Sequence, residues 1–344
     1  MMTPIINNTI RVKKMNEELV RQTLKTMNQA TKSSVAQTTG LSIATCGSIL
    51  NDLLASGELL EMNVEESNGG RPAKVYQYNM NFSYIGCMMI RAGVKVHALE
   101  YLVANLAGEA VERGCEESAI MDTDAIDRII GRLISQYPQI RAIGIGVPGA
   151  VNHGVINVGD IPELLNVELE AYIREKYGIE VILENDMNMT VYGFYQKQDY
   201  AEDQPVAVAT FIEGSLPGAG IMVDGRIHRG STRFAGEIAF LPYDMSREEQ
   251  LRQLHDRQTF HVLAAHAVSS LIAVMNPATI ALTGSLVQPA DVEQIRQACL
   301  DFIPEMHMLQ LMVLEDPDED YMFGLITMTL ESLSYSLQLV EKRR

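Results

Sequence analysis

Apolar and polar positions follow two different periods along this chain, and the change of period divides it. Residues 33–74 read SSVAQTTGLSIATCGSILNDLLASGELLEMNVEESNGGRPAK. Ser34 to Thr39 has a helical pattern that ends at Gly40. Ser42 offers an N-cap for a second helix to about Ala55, because its hydroxyl can accept from orphan amides of the first turn. Ile43, Ile49, Leu50, Leu53 and Leu54 fall mainly on one face of that helix. Gly57 stops it. Leu59, Leu60, Met62 and Val64, the turn Asn68-Gly69-Gly70, and then Val75 to Tyr78 predict a β-hairpin. Helix, glycine turn, helix and hairpin is the order of a winged helix-turn-helix, whose second helix enters the DNA major groove.

From Tyr84 the pattern becomes α/β. Strands are expected over 85–90, 95–102 and 109–113, a helix over 122–137, a buried strand over 141–147, a helix over 167–177 and a strand over 180–184. A second set follows: strands near 206–212 and 218–223, a long helix near 247–275, strands at 279–283 and 309–314, and helices at 289–302 and 320–341. A strand-rich start followed by helix–strand alternation, done twice, predicts two α/β lobes. The expected division is 1–80 for the winged head and 81–344 for the body, with lobes of about 81–200 and 201–344.

Charge sharpens this division. The net charge of −17 would argue against nucleic acid if evenly spread. Residues 1–80 hold eight Lys/Arg and seven Asp/Glu, which leaves 19 basic and 37 acidic residues for the body. A near-neutral, locally basic head on an acidic body confines DNA contact to the head. Lys13, Lys14, Arg21, Lys25 and Lys32 could meet phosphates, or form an ordinary solvated face. No apolar run reaches membrane-spanning length and no signal-peptide core is present. Cys46, Cys87, Cys115 and Cys299 stand far apart, without zinc or disulfide spacing, which fits a reduced, cytoplasmic chain.

In the second helix of the head, Ser42, Ala44, Thr45, Ser48 and Asn51 are small groups able to touch base edges or thymine methyls. A hairpin of helices that merely packs is the alternative. Gly69-Gly70-Arg71-Pro72 favours the DNA reading, because a tight turn fixes the cation of Arg71 for a minor groove, with Lys74 close behind. In the body, ligands of two-lobed α/β folds sit at the carboxyl ends of strands. Asn185-Asp186 follows an apolar strand directly, where Asp186 could accept a proton from a ligand hydroxyl; helix capping is the alternative. Glu237 follows the Gly-rich run from Gly214 to Gly236.

In this order the segments resemble the ROK family of repressors and sugar kinases over nearly the whole chain. Gly69-Gly70-Arg71-Pro72 resembles the wing signature of its repressors, and Ile143 to Gly149 (IGIGVPG) its strand-and-turn. Glu184-Asn185-Asp186 resembles the catalytic-base segment. Gly218-Ala219-Gly220-Ile221 with Asp224-Gly225 resembles the second phosphate loop, Ala235-Gly236-Glu237-Ile238 the sugar-binding loop, and Asn276-Pro277 with Gly284 the border of the adenosine pocket. The resemblance implies a two-lobed actin-like ATPase (ribonuclease H-like) sugar-kinase fold behind the winged helix-turn-helix.

The departures are as informative. Met88-Met89-Ile90-Arg91-Ala92 stands where the family's kinases carry an Asp and a Gly-Gly-Thr hairpin, and a Cβ blocks close approach of backbone to phosphate. Leu216-Pro217 replaces part of a Gly-Ile-Gly run, and Pro lacks an amide donor. The family's zinc cysteines are missing from 244–254, Phe240 replaces a sugar-contacting His, and Gly159-Asp160-Ile161 stands for Pro-Asn-Leu. The expectation is therefore a transcription regulator whose kinase-like body is degenerate, with Asp186 a vestigial base and no catalytic residue. Cofactor and metal are expected to be absent. Asp160, Asn185, Asp186 and Glu237 would bind a small-molecule effector, a neutral sugar. Ser42, Thr45, Ser48, Asn51, Arg71 and Lys74 would contact double-stranded operator DNA. A homodimer or dimer of dimers and no membrane partner complete the expectation. The alternative is an active ATP-dependent, glucokinase-like sugar kinase carrying a DNA-binding head.

Overall fold

The computed structural model describes residues 6–62, 73–93, 95–198, 200–201 and 204–333, with the backbone alone for 6–11. The wing turn with Arg71 lies outside the described residues. The chain divides into two compact units, the first running through Tyr84 with Asn105–Glu109, the second comprising Ile85–Ala104 and Ala110–Thr329.

The first unit is built from α1 (Ile6–Met27), β1 (Gln29–Thr31), α2 (Lys32–Thr39), α3 (Ile43–Ala55), β2 (Leu59–Met62) and β3 (Val75–Tyr78), with an antiparallel sheet in the order β1-β3-β2. This is the winged helix-turn-helix arrangement. Thr31 and Ser34 form a reciprocal capping box at the start of α2. Gly40 ends α2 in the left-handed region, and the Ser42 hydroxyl accepts from the Thr45 amide to open α3. The apolar stripe of α3 differs by one turn from the sequence expectation. Cys46, Ile49, Leu50 and Leu53 are buried against Val20, Leu24, Val35 and Leu59, whereas Ile43 is 57% exposed at the first turn. Under this sheet Arg21 Nε donates to Glu58 at 2.7 Å and the Tyr78 hydroxyl donates to the same carboxylate oxygen at 2.9 Å. Arg21 is thereby committed to the core and is not free for a phosphate.

The second unit holds two five-stranded sheets. The first sheet draws on β4 (Tyr84–Arg91), β5 (His97–Asn105), β6 (Ala110–Ser118), β7 (Ile140–Val147) and β10 (Glu180–Asn185), in the order β10-β7-β4-β5-β6, with α4 (Thr123–Gln136) and α5 (Leu169–Tyr177) in the connections. β7 and β10 are parallel, with Asn185 opposite Val147. A hairpin absent from the sequence reading, β8 (Gly149–Asn152) and β9 (Val155–Gly159), follows β7. α6 (Asp186–Lys197) leaves β10 directly.

The second sheet runs β13-β12-β11-β14-β15, formed by β11 (Val206–Thr210), β12 (Gly218–Val223), β13 (Arg226–Ile227), β14 (Thr279–Thr283) and β15 (Gln310–Val313). The expected long helix is two: α7 (Arg247–His255) and α8 (Arg257–Met275), broken at Asp256, which caps α8 through the Gln258 amide. α9 (Asp291–Cys299) and α10 (Pro317–Ser332) complete the unit. Contrary to the sequence expectation, α8 is long and apolar enough to cross a membrane. Half of that stretch is buried in the unit, where Phe260, Leu263, Ala264 and Val268 pack into the core of the second sheet.

α6 and α10 cross with backbone almost in contact. A Cβ on Gly193 would lie 1.9 Å from the Asp320 carbonyl oxygen, which a side chain cannot relieve. Gly193→Ala should therefore destabilise the body by about 1–3 kcal/mol or more, the range for overpacked sites, read as a lower urea midpoint of unfolding. An unchanged midpoint would show that the two helices can part freely.

Candidate functional site

Three chain segments converge on one cleft in the second unit. The strand β10 ends at Asn185, whose side chain accepts from the Asn188 amide at 3.0 Å and so caps α6. Its Nδ2 donates to the Gly149 carbonyl at 2.9 Å, which fixes the start of the β8–β9 hairpin. The same hairpin returns the chain to Asp160, whose amide donates to the Pro148 carbonyl. The third segment is the loop 228–240. Gly236 lies at φ +94 with its carbonyl accepting from the Ala219 amide at 2.8 Å; a Cβ there would sit 1.9 Å from the Ala219 carbonyl oxygen. That close docking on β12 presents Glu237 to the cleft.

The cleft between these segments is a cavity of ≈ 30 Å³, lined by Asn185, Asn188, Arg233 and Glu237 among others. That is room for a water molecule or two. The four expected ligand-binding residues are near one another, but not alike. Asn185 and Glu237 line the cavity, whereas Asp186 and Asp160 act on it electrostatically. Asp186 is the first residue of α6, and its carboxylate accepts from the Met187 amide at 2.8 Å. Desolvation pushes its carboxyl up to about 7, and the charges of Asp160 and Glu237 add to the rise against the Met187 amide and Arg91. Glu237 is raised by burial and by Asp160, with Arg247 opposing. Asp160, exposed at the cleft edge, is raised by partial desolvation. All three acids are thus held above the usual carboxylate range, with Asp186 at about 7.

Other residues hold this arrangement, of which the sequence pattern marks Glu184 and Phe240 but not Tyr321, Arg229 or Arg233. Glu184, 6% exposed, accepts from the Asn185 amide (3.0 Å), from Asn188 Nδ2 (2.9 Å) and from Arg229 Nε (2.6 Å). Tyr321 buries a hydroxyl with no partner among the described residues, against Gly146 and within electrostatic reach of Asp186. Phe240 is 45% exposed, with the Arg247 guanidinium 3.8 Å above its ring and Phe234 edge-on at 4.8 Å. Arg229 lies 45 residues from Glu184, its partner at the cleft, and no local pattern could have linked the two.

The phosphate loop is placed differently from the resemblance. Gly218 to Ile221 form strand β12, and Asp224-Gly225 is only the tight turn to β13. The loop before β12 is 211–217, and four of its amides have acceptors within the protein. Phe211 donates to the Thr283 carbonyl, Glu213 to the Ser285 hydroxyl at 2.9 Å, Gly214 to His255 Nε2 at 3.1 Å, and Ser215 to the Ile212 carbonyl. At the end of β4, Arg91 pairs with Glu100 at 3.0 Å and Asp318 at 2.7 Å.

On the head, Ser42, Ser48 and Asn51 are exposed on α3 and Thr45 is half-buried, its hydroxyl 2.8 Å from that of Ser42. Lys74 Nζ pairs with Glu61 at 2.7 Å across the hairpin. The Lys32 stem lies over Gly47 of α3. Among the described residues no three His, Cys, Asp or Glu side chains gather as metal ligands.

Two five-stranded sheets with helices in their connections, and a polar cleft at the carboxyl end of β10, give the second unit a fold of the sugar-kinase-like class. Residues 87–250 match the ROK family, and a ROK-family domain is present in this chain. The xylose repressor of Caldicellulosiruptor bescii is 26% identical over 247 residues, covering 67% of this chain and 59% of that protein. The chain thus spans about three fifths of the length of the xylose repressors it matches. A ROK family transcriptional regulator, described as a homologue of the E. coli MLC protein, superposes over 93% of this chain and 99% of its own with a TM-score of 0.62 at 17% identity. A protein of Listeria monocytogenes described as a putative N-acetylmannosamine kinase superposes over 72% of this chain and 99% of its own, with a TM-score of 0.57 at 19% identity. At such identities the two structures establish the fold.

The raised Asp186 carboxyl sets a pH dependence. The folded state holds its proton more tightly than the unfolded chain, so stability is fully present below the unfolded pKa near 3.8 and falls as pH rises through about 7. Urea midpoints should decline from pH 5 to pH 8, and Asp186→Asn, which cannot ionise, should lessen that decline. A variant that is less stable than the wild type at pH 8 would refute the burial account.

Proposed function

We propose that the chain is a DNA-binding transcription regulator, a repressor, whose kinase-like body senses a small polyhydroxylated molecule and does not phosphorylate it. One observation carries this reading. The polar groups suited to sugar hydroxyls, Asn185, Asp186 and Glu237, remain at the cleft, while the loop amides suited to phosphate are occupied by the protein's own acceptors. Phosphoryl transfer depends on positioning and charge stabilisation, so an acid at the base position cannot act without a cradle for the nucleotide. The resemblance to proteins named xylose repressors supports the same reading.

In this reading Ser42, Thr45, Ser48 and Asn51 of α3 face bases, and Arg71 enters the minor groove. Lys74 must exchange Glu61 for a phosphate, a small loss because exposed ion pairs are weak. The operator is double-stranded DNA, and the active form is a homodimer or dimer of dimers in a reduced cytoplasmic setting, with no cofactor. A sugar alters DNA affinity only if it binds one conformation of the body more tightly than another. The narrowness of the cleft makes a change of shape on binding necessary. The second reading, a sugar kinase with a DNA-binding head, is favoured by Asp186 at the base position and by the kinase-like fold.

DNA fragments from upstream of metabolic operons should be retained with strong salt dependence, because bound cations displace counterions. Arg71→Ala should weaken retention by about 1–3 kcal/mol. Failure of the full chain to select any fragment at low salt would remove the regulator reading. For catalysis, a coupled assay with ATP and a panel of hexoses, pentoses and hexosamines should stay at background. Sugar-dependent ATP consumption that disappears in Asp186→Asn would establish the kinase instead.

A further inference from the structure

A second, larger cavity of ≈ 360 Å³ adjoins the cleft and shares Val151 and Arg233 with it. Its other walls are His153, Gly154, Glu170, Leu183 and Glu184. The volume lies within the range of about 300–1,000 Å³ usual for small-molecule sites. Asn185 and Glu237 line the smaller cavity and not the larger one, and the two cavities meet at Val151 and Arg233, so a ligand held by the polar groups can extend past Arg233 into the larger space.

The charges around the larger cavity do not cancel. Glu170 is engaged by Arg174 at 2.7 Å, and Glu184 by Arg229 at 2.6 Å and by two amide donors. Glu184 is thereby matched by one guanidinium, and Glu170 shares Arg174 with Glu180 at 3.3 Å. Arg233 is half-buried between the two cavities and makes no hydrogen bond, ion pair or ring contact among the described residues. Its backbone lies at φ +63, a conformation that costs an arginine energy and is kept where the surroundings impose it. His153 projects beside it from the two-residue turn of the β8–β9 hairpin, where φ is +50 and Gly154 follows at +77. An unopposed guanidinium and an imidazole bordering a cavity in an otherwise acidic body form a receptor for an anion.

We infer that this cavity is a subsite for an anionic substituent, a phosphomonoester or a carboxylate, carried by a ligand whose hydroxyls lie against Asn185 and Glu237. The effector is then an acidic sugar derivative and not a neutral sugar, in contrast to what the acids Asp160, Asp186 and Glu237 suggest alone. The two charge types do not conflict, because the acids border the polyol end and Arg233 the far end. This inference rests on the ligand-sensing reading above.

Calorimetry on the full chain decides it, with glucose, xylose and N-acetylglucosamine set against glucose 6-phosphate, N-acetylglucosamine 6-phosphate and glucuronate. At least one anionic member should bind on the order of tenfold or more tighter than its neutral parent, the gain expected of one charge-assisted contact. The phosphorylated and carboxylated arms tell which anion the cavity prefers. In Arg233→Gln that ratio should fall to about one, and Arg233→Lys should keep part of it. Inorganic phosphate should compete with the anionic form in the wild-type chain, which tests the subsite without any substitution. Equal affinity for neutral and anionic forms, or an anionic advantage that survives Arg233→Gln, overturns the subsite and leaves the sensor reading standing. Binding of no member of the panel overturns both.

Discussion

The carboxylate of Glu184 is the point on which the geometry of the cleft depends. It is nearly inaccessible to solvent, and it accepts from the Asn185 amide, the Asn188 side chain and the Arg229 guanidinium at once. A buried charge of this kind is tolerated only when its lone pairs are filled, and removing one partner leaves an uncompensated ion. Its three partners come from the end of β10, the first turn of α6 and the loop after β13. One residue thus ties the first sheet to the loop that carries Arg233, Gly236 and Glu237. The capping of α6 by Asn185 and the docking of Gly236 on β12 follow from the same constraint, since both place backbone against the segment that Glu184 holds.

The chemistry of the cleft is that of crowded acids with little room for water. Desolvation raises Asp186, Asp160 and Glu237, and the charge of Asp160 adds to the rise of the other two. A group poised near neutrality can donate or accept a hydrogen bond to a hydroxyl, which is useful to a binder as well as to a base. What separates the two uses lies elsewhere. The loop 211–217 and the end of β4, where nucleotide phosphates would need free amides and small residues, are filled by Ser285, His255 and the Arg91–Asp318 pair.

Much of the fold was legible in the chain because its elements are locally declared. Ser42 and Gly40 mark the ends of helices by capping chemistry, and the alternation through 140–147 and 206–210 can only be buried strand. Errors occurred where two local signals overlapped. Ile43 was assigned to the core because it is apolar, yet the helix begins at that residue and the stripe passes through Cys46 instead. The stretch 247–275 has one continuous helical pattern, and only the capping of α8 by Asp256 breaks it. The β8–β9 hairpin leaves little trace in the sequence because strands of four and five residues give too few alternations to stand out.

The sequence by itself determined most of the longer elements, the uneven charge of head and body, and the candidate acids, since each follows from residue type and spacing along the chain. Tertiary structure alone decided which of these residues share a cleft, because proximity between 153, 184 and 233 is set by strand pairing and not by any period. It decided that Arg21 belongs to the core of the head, since only the fold brings Glu58 and Tyr78 beneath it. It also decided that Arg233 stands between two cavities with no partner among the described residues. An arginine in a glycine-rich run carries no local mark of that role, because its meaning lies in carboxylates distant in sequence that Arg174 and Arg229 already engage.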